Sequence, residues 1–239
     1  MKEEDLPSTS ERGSETRQKL LVSSVEVFGR NGYDAATTRM LAETAGVNLQ
    51  AINYYFGDKE GLYLAVARHI AASIDEEMTE VRRRIVARCI EAETCGPPLE
   101  DDEARALIAE VLKALAGVFT SGETEFSARF LMREMTSPTN AFDHIYAVTG
   151  SGMKLIDRLL AIILRKSPES EEVRLRTVSL IGSLMMFRLT RATVMRHLDW
   201  DTIGEREAGL IRNLAAELAA TVRASGISRD DERGCQTGY

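Results

Sequence analysis

The sequence contains few residues that would cross-link a fold or place it in a membrane. Its three cysteines, Cys89, Cys95 and Cys235, are odd in number, loosely spaced and without a CxxC motif, which is typical of free thiols in a reducing compartment. No stretch approaches the roughly 18 uncharged apolar residues of a membrane helix, and the polar N-terminus is unlike a secretion signal. We therefore predict a soluble, cytoplasmic protein without a membrane partner.

The sequence also lacks the motifs that mark metal sites and common enzymes. The histidines, His69, His144 and His197, are far apart and form neither HxxxH nor HExxH. There is no GxSxG and no GxGxxG after a strand. The segment GSGMK at 150–154 lacks the first glycine and the hydroxyl residue after lysine that a P-loop needs. We expect no catalytic residues, no metal and no cofactor.

Positive charge is in deficit over the whole chain. There are 37 acidic and 30 basic side chains in 239 residues, a net charge of -7, which argues against unspecific coating of nucleic acid or membrane but leaves room for a small contact face. Five prolines and 17 glycines are too few for a low-complexity chain, and 44% apolar residues is typical of a globular one. The length fits one large domain or two small ones.

Apolar residues recur at spacings of three and four along most of the chain, and no alternating strand pattern interrupts them, which predicts an all-α fold. Helices are expected at 14–32, 38–45, 49–55, 58 to beyond 89, 104–119, 123–135, 140–165, 171–197 and 203–224. We predict a disordered arm over 1–13, an N-terminal helical domain over 14–62, a larger helical domain over 63–224 and a flexible tail over 225–239.

Residues 37–56 have the pattern of two short helices joined by a tight turn. Thr37 can cap the first helix, Gly46 permits the positive φ of a sharp corner, and Asn48 can cap the second helix. The apolar positions fall on one inner face: Leu41, Ala42, Ala45, Val47, Ile52 and Phe56. The outer face of the second helix carries Gln50, Ala51, Asn53 and Tyr54. Such side chains can meet base edges, thymine methyl groups and phosphates, so the pattern predicts a helix-turn-helix reader of DNA.

The same segment resembles the N-terminal domain of TetR-family transcriptional regulators. The resemblance covers about residues 14–62 and rests on TTR at 37–39, LA at 41–42, AGVN at 45–48, INYYF at 52–56 and KEGL at 59–62. It implies that the N-terminal domain is a three-helix DNA-binding domain. It further implies a homodimeric bacterial regulator, usually a repressor, that binds a palindromic operator through the major groove. A small-molecule effector bound by the larger domain would release the operator.

The resemblance also implies roles for individual residues. Asn48, Gln50, Ala51 and Asn53 would face the major groove, while Arg39, Tyr54 and Lys59 would hold phosphates; Thr37 and Thr38 complete the expected DNA-binding set. Lys59 has its own rationale, because with Asp58 as cap it lies in the first turn of the next helix, where free amides attract anions. Two alternatives stay open: Asn48 acts mainly as a cap, and Tyr55 is partly packed. Met40 replaces the acidic residue common at its position in the family.

The charge of the proposed DNA-binding domain, called the reading domain below, makes the prediction of DNA binding testable. Residues 11–70 contain seven basic and seven acidic side chains, whereas residues 71–103 contain four basic and ten acidic ones. The acidic excess therefore lies outside the reading domain, and DNA contact must depend on arrangement and neutral donors more than on bulk attraction. We predict a modest dependence of DNA affinity on salt.

Two apolar helices near the C-terminus are expected to form a dimer interface. Between Val178 and Met195 apolar side chains occupy nearly every face, with only Arg188 and Arg191 charged, so we expect burial on two sides. The helix over 203–224 carries an apolar stripe, with small residues that permit close crossing. Pairing these helices, near 171–197 and 203–224, with those of a second copy would make a four-helix interface.

Candidate effector-binding residues come from the middle of the chain. Residues 126–142 resemble the C-terminal domain of the CecR-type subgroup, a shorter match. Arg129 and Arg133 are one helical turn apart and could hold an anionic ligand, or pair with Glu125, Glu134 or Asp143, which we rank as the more common arrangement. Among the methionines, Met132, Met135, Met153, Met185 and Met186 could line an adaptable cavity or fill an ordinary core. The expected ligand set is Arg129, Met132, Arg133, Met153 and Met185.

A second function is compatible with the same helices. A helical protein that sequesters a small molecule, or an interaction adaptor, could retain the helix-turn-helix as a structural unit. Such a protein would have no need to keep Gln50, Asn53, Tyr54 and Lys59 exposed together.

Overall fold

The computed structural model describes residues 9–120 and 125–224, and these residues form ten helices and no strand. The predicted all-α fold is confirmed. The helices are α1 (Thr9–Ala35), α2 (Thr38–Ala45), α3 (Gln50–Phe56), α4 (Lys59–Thr94), α5 (Asp101–Thr120), α6 (Glu125–Thr136), α7 (Phe142–Leu164), α8 (Glu171–Leu189), α9 (Arg191–His197) and α10 (Glu205–Ala220).

The first helix differs from the prediction at both ends. It begins at Thr9, so residues 9–13 of the expected arm are helical, while residues 1–8 and the predicted tail over 225–239 lie outside the described residues. The regular helix breaks at Gly32, where the predicted helix ends, because Gly32 has φ 77. A further turn carries α1 on to Ala35.

The single helix predicted over 171–197 is wrong, since the chain bends by 81° between α8 and α9. Thr190 has φ -110 and ψ 35, and its hydroxyl donates to the Met186 carbonyl oxygen at 2.9 Å, a local bond that competes with helix continuation. Across the described ranges, no single helix is both long and apolar enough to cross a membrane; α8 and α9 pass that test of length and composition only when joined across this bend.

Two hydrophobic cores are joined by the long helix α4. The N-terminal core contains Leu20, Phe28, Leu41 and Ile52 from α1 to α3, then runs along α4 as far as Ile70. It also takes in residues of the larger domain, among them Phe130, Ala141 and Ile145. The boundary predicted after residue 62 therefore falls inside a continuous helix and inside a continuous core.

The second core lies between the far half of α4, α5, α7, α8 and α10. Its fully buried side chains include Ile85, Ile108, Leu112, Leu159 and Leu184. Burial of a side chain of this size stabilises the fold by about 1.5–3 kcal/mol. Of the described cysteines, both free thiols, Cys89 lies in this core and Cys95 is exposed just after α4; Cys235 lies outside the described residues.

Candidate nucleic-acid interface and ligand cavity

The turn between α2 and α3 is built from the three residues that the sequence singles out. Thr37 Oγ1 accepts a hydrogen bond from the Met40 amide at 3.2 Å and caps α2. Gly46 has φ 65 and ψ 35, the left-handed conformation that favours glycine. Asn48 Oδ1 accepts from the Gln50 amide at 2.9 Å, a local bond that shapes the turn, while Leu49 is the residue that directly precedes α3.

The two faces of α3 differ as the pattern predicts. Ile52 is 1% exposed and fixes the inner face against the N-terminal core, with Phe56 packed beside it. Gln50 and Asn53 are exposed, Ala51 is half-buried, and Tyr54 is 81% exposed. Tyr55 is half-buried, in agreement with the alternative in which it is partly packed. A polar outer surface therefore lies on a short helix whose position is set by its apolar inner face.

Two of the residues expected to bind DNA phosphates instead contact other groups of the protein itself. Arg39 forms an exposed ion pair with Glu43 at 2.8 Å. Lys59 turns inward: its Nζ donates to the Ala36 carbonyl oxygen at 2.8 Å and lies 4.3 Å from the centre of the Tyr33 ring. The side chain of Lys59 thus ties the start of α4 to the residues before α2 rather than projecting from the surface.

The cap of α4 is as predicted, and two further residues of this face were not anticipated. Asp58 Oδ1 accepts from the Gly61 amide at 2.7 Å. Leu49, which directly precedes α3, is 51% exposed although its side chain is apolar. Arg17 of α1 is exposed and lies 5.1 Å from the centre of the Phe56 ring, which brings a cation to the end of α3. That proximity joins residues far apart in sequence and leaves no local signal.

A cavity of about 400 Å³ lies in the larger domain between α4, α5, α6, α7 and α8. Its volume is within the usual range for pockets that hold small organic molecules. The predicted Met132, Met153 and Met185 line it, and so does Met135, together with aromatic and aliphatic side chains such as Phe119. Thioether side chains adapt to ligands of varied shape.

The two predicted arginines, Arg129 and Arg133, lie outside the wall of this cavity. Arg129 is exposed and pairs with Glu125 at 2.6 Å, the structural alternative considered from the sequence. Arg133 pairs with none of the expected carboxylates; its Nη2 donates to the Arg30 carbonyl oxygen at 3.0 Å. That carbonyl lies next to the break of α1 at Gly32, where helical hydrogen bonding is interrupted, so Arg133 completes the end of a helix.

Two other arginines line the cavity instead. Arg82 of α4 is held by Asp75, with Arg82 Nη2 donating to Asp75 Oδ2 at 3.1 Å and a second, shorter bond beside it. These bonds lower the pKa of Asp75 and raise that of Arg82. Arg188, in the last turn of α8, is half-buried, and burial lowers its pKa, as does the nearby Arg191. The seven-residue spacing of Asp75 and Arg82, two turns of one helix, could have indicated their pairing from the sequence. The position of Arg188 in the wall could not, because it depends on tertiary packing.

Helix α6 lies between the cavity and the helix-turn-helix domain. Leu131 and Met132 face the cavity. The preceding residue, Phe130, is fully buried, and the centre of its ring lies 4.6 Å from the centre of the Tyr63 ring on α4. At Gly29 the contact of α1 with α6 is so close that an added Cβ would meet the Phe126 carbonyl oxygen at 2.5 Å. One helix thus contacts both the ligand space and the domain that carries α3.

A buried hydrogen-bond network fixes this junction. Glu134 is 1% exposed and its Oε1 accepts from the Tyr63 hydroxyl at 2.7 Å. Its other oxygen accepts from the Thr139 amide, and the Thr139 hydroxyl adds a further bond, both at 3.0 Å. Burial and the neighbouring Glu134 raise the pKa of Tyr63, which keeps its hydroxyl protonated as the donor. Tyr63 also makes edge contacts with the rings of Phe28 and Tyr33 at 4.8 and 5.0 Å.

Family models match both parts of the chain. Residues 20–66 match the model described as "Bacterial regulatory proteins, tetR family". Residues 102–226 match the "HTH-type transcriptional dual regulator CecR, C-terminal domain". The second match covers more than half of the chain and confirms the subgroup predicted from residues 126–142.

Relatives and solved structures agree with these matches. The HTH-type transcriptional dual regulator CecR of Shigella flexneri is 31% identical over 209 residues, covering 86% of this chain and 90% of the relative. The HTH-type transcriptional repressor AcnR of Corynebacterium efficiens is 40% identical over 73 residues, which cover 30% of this chain and 39% of AcnR. The transcriptional regulator FadR of Bacillus subtilis, crystallised with stearoyl-CoA, has a TM-score of 0.56 at 19% identity, covering 88% of this chain and 99% of FadR.

The relatives are transcription regulators rather than enzymes, in agreement with the sequence prediction. The capped turn, the polar face of α3 and both family matches lead to one conclusion: the chain belongs to the TetR family of DNA-binding bacterial transcription regulators, with a C-terminal domain of the CecR type.

Proposed function

We propose that the protein is a homodimeric repressor that binds a palindromic operator through the major groove and is released by a small-molecule effector. The observation that carries the proposal is the outer face of α3, where Gln50, Asn53 and Tyr54 are exposed on a helix held by Ile52. A sequestering or adaptor protein would gain nothing from this exposed polar surface. The 40% identity to the repressor AcnR over 73 residues supports repression.

Within this proposal Gln50 and Asn53 contact base edges, Ala51 contacts thymine methyl groups, and Asn48 and Thr38 adjoin the groove. Arg39, Tyr54 and the start of α2 at Thr37 hold phosphates. Lys59 contributes mainly by positioning, because its ammonium group already binds the Ala36 carbonyl oxygen. Two copies would place their α3 helices about 34 Å apart, one turn of B-DNA.

Selection of bound sequences from random DNA with the purified protein tests operator binding. A palindrome with half-sites about one helical turn apart is the expected result, and recovery of no enriched sequence would contradict the proposal. Gln50→Ala should change the preferred base at one position of each half-site, by about 1–3 kcal/mol. An unchanged preference would remove Gln50 from the contacts that read sequence.

The phosphate contacts have a matched control. Arg39 and Arg83 both form exposed ion pairs with a glutamate on the same helix, at 2.8 and 2.7 Å, but Arg83 lies on α4, outside the proposed interface. Arg39→Ala should weaken binding to all DNA sequences about equally, whereas Arg83→Ala should leave binding unchanged. Equal effects of the two substitutions would indicate a general charge effect.

Salt dependence tests the picture of a sparsely charged interface. The seven basic side chains of residues 11–70 are balanced by seven acidic ones, and Lys59 points inward, so few cations are available to displace counterions. Ten phosphate contacts per dimer would give a slope of about -9 in log K against log salt concentration. We expect a clearly shallower slope, measured by fluorescence anisotropy with the selected operator. A slope of that size would contradict the assignment.

The proposed dimer face consists of apolar side chains that α8 and α10 leave exposed. On α8, Leu175, Val178 and Met186 are 65%, 54% and 48% exposed, and on α10 Leu210 and Leu214 are 47% and 37% exposed. They lie on two helices that contact each other, and exposed apolar side chains at helical spacing favour association.

The dimer face can be tested by charge substitution. Leu175→Glu combined with Leu214→Glu should yield a monomer in analytical ultracentrifugation and abolish operator binding. Ile90→Glu is the control, because Ile90 is 51% exposed on α4, away from this face. A monomeric wild-type protein at micromolar concentration, or a dimeric double variant, would overturn the proposed interface.

The proposed effector acts through α6. A molecule that displaces Leu131 or Met132 from the cavity side would move Phe130 and Glu134, which contact α4 on the opposite side. The effector must bind the released form more tightly than the operator-bound form, since only differential affinity shifts such an equilibrium. Reduced operator affinity in the presence of a cavity ligand is the expected result, and unchanged affinity at saturation would refute this coupling.

A further inference from the structure

The wall of the cavity is rich in thioether side chains. Five of the nine methionines of the chain line it, and they come from four different helices: Met78, Met132, Met135, Met153 and Met185. The sulfur atom of methionine is polarisable and makes favourable contacts with aromatic rings, and the unbranched side chain adapts to ligands of varied shape. A wall of this composition favours an aromatic ligand.

Aromatic side chains extend the same surface. Phe142 and Tyr146, at the start of α7, both line the cavity, and their rings are stacked with centres 5.7 Å apart and planes 23° apart. Phe119 lines the cavity from α5. Stacked and edge-on contacts between aromatic rings are attractive beyond the apolar area that they bury. A flat aromatic ligand can therefore make ring contacts as well as sulfur contacts with this wall.

The charged residues of the wall are already engaged within the protein. Asp75 and Arg82 hold each other through two hydrogen bonds. Glu77 and Arg188, the other two charged residues of the wall, also interact with groups of the protein. A charged group on a ligand would gain one of these partners only by displacing the present one, and exchanging one ion pair for another gains little net free energy.

The neutral polar groups of the wall are used locally. The hydroxyl groups of Ser73 and Thr149 each donate to the carbonyl oxygen four residues earlier on their own helix, both at 3.1 Å. Within the described ranges, no lining side chain keeps a buried nitrogen or oxygen atom without a hydrogen-bond partner. Burying a charged ligand group without a partner is strongly unfavourable. The cavity is therefore suited to an uncharged ligand.

We propose that the effector is a neutral aromatic molecule that fits the cavity of about 400 Å³ and contacts the methionines and aromatic rings of its wall. This inference rests on the proposed effector role of the cavity and names the chemical class that the cavity takes. Methionine-rich surfaces repack around different partners, so the cavity selects this class of compound rather than one exact shape.

Two fluorescent probes with one skeleton test the preference for a neutral ligand. N-phenyl-1-naphthylamine is uncharged, whereas 8-anilinonaphthalene-1-sulfonate carries the same rings with an added sulfonate. Titrated into the full-length protein, the neutral probe should bind at least about tenfold more tightly, because the sulfonate loses its hydration without gaining a free partner. Equal binding of the two probes, tighter binding of the sulfonate, or no binding of the neutral probe would each overturn the proposal.

Competition against N-phenyl-1-naphthylamine tests positive charge and aromatic character. Naphthalen-2-ylmethanol should displace the probe about tenfold more effectively than naphthalen-2-ylmethylammonium, which adds a charge. It should also displace the probe about tenfold more effectively than its fully saturated decahydro form, which lacks the ring contacts. Burial of apolar area alone favours the saturated compound, because its additional hydrogens enlarge its apolar surface. Equal or weaker displacement by the aromatic alcohol in either comparison would overturn the proposal.

Variants show whether the methionines are responsible. Met132→Leu combined with Met153→Leu keeps the wall apolar at similar volume but removes two sulfur atoms. It should reduce the preference for the aromatic alcohol over its decahydro form by about threefold. Met40→Leu is the matched control, because Met40 packs against the N-terminal core, outside the cavity wall, and the preference should not change. An unchanged preference in the double variant would overturn the assignment.

A cavity-filling variant locates the bound probe. Gly152 lines the cavity from α7, and a Cβ there would meet no atom within 4 Å, so Gly152→Leu can occupy the ligand space. It should abolish binding of N-phenyl-1-naphthylamine while Gly117→Leu, at an equally open helical position outside the wall, does not. Both variants are checked for cooperative melting, and Gly152→Ala, which should weaken binding, replaces a leucine variant that does not fold. Unchanged probe affinity in a folded Gly152 variant would overturn the proposal.

The operator selection is performed without any probe, so it distinguishes the two levels of the hypothesis. A recovered palindrome together with no preference for the neutral aromatic probe would refute the ligand class alone. Binding of N-phenyl-1-naphthylamine in the cavity with no recovered DNA sequence would refute the proposed regulator and leave the assigned ligand class standing.

Discussion

Removal of the Tyr63 hydroxyl is the sharpest test of the junction between the two parts of the molecule. Tyr63→Phe keeps the ring and hence its contacts with Phe28, Tyr33 and Phe130. It deletes one interaction, the hydrogen bond of 2.7 Å to Glu134. The substitution therefore measures a single buried polar contact.

The expected cost follows from the burial of Glu134. A hydrogen bond to a charged group contributes about 1.5–3 kcal/mol. Glu134 is 1% exposed, so bulk water cannot replace the lost donor, and among the described residues the donors left to the carboxylate are those of Thr139. For a chain of this length 1 kcal/mol corresponds to about 2–4 °C in Tm. We expect Tyr63→Phe to lose about 2 kcal/mol and to melt about 4–8 °C lower.

Urea denaturation followed by circular dichroism measures this difference. Tyr146→Phe is the control, because Tyr146 is 54% exposed and the variant should stay within about 0.5 kcal/mol of the wild type. In a double-mutant cycle with Glu134→Gln, the two substitutions should be strongly non-additive. A loss below about 0.5 kcal/mol for Tyr63→Phe, or additive effects in the cycle, would refute the network as described.

Three further outcomes follow from local geometry. Gly152→Ala and Gly117→Ala should each stabilise the fold by about 1 kcal/mol in thermal melts, because alanine has the higher helix propensity and both positions have open space for a Cβ. Destabilisation would show that the added methyl group meets a neighbouring atom. Gly46→Ala should cost about 1–2 kcal/mol for its positive φ although nothing crowds a Cβ there, and a neutral result would argue against that conformation. Iodoacetamide at pH 8 followed by peptide mapping should modify exposed Cys95 but not Cys89, whose pKa is raised by burial, and equal labelling would contradict the packing of α4.

The sequence predicts best those features whose partners are close along the chain. The caps at Thr37, Gly46 and Asp58 depend on atoms within four residues, and all three are found as predicted. The inner face of α3 depends on helical period alone, so Ile52 and Phe56 could be assigned without knowing what they touch.

Features that depend on distant partners could not be predicted in the same way. Lys59 bonds a carbonyl 23 residues away, and Arg133 bonds one 103 residues away, so the charge of each side chain gave no indication of its partner. The same limit explains why only part of the cavity wall could be predicted from the sequence. The methionines were identifiable as adaptable apolar residues, but Arg188 reaches the wall only through the packing of α8.

The continuity of α4 has a consequence for engineering this protein. Because one core uses Ala65, Val66 and Ile70 of α4 together with Phe130 of α6, a DNA-binding module cut after residue 62 would lose part of its own interior. Chimeras that exchange specificity between relatives should therefore join the donor segment beyond Ile70 and match the residue at Phe130. Fusions made at the apparent end of the helix-turn-helix would create a cavity at the seam and fold poorly.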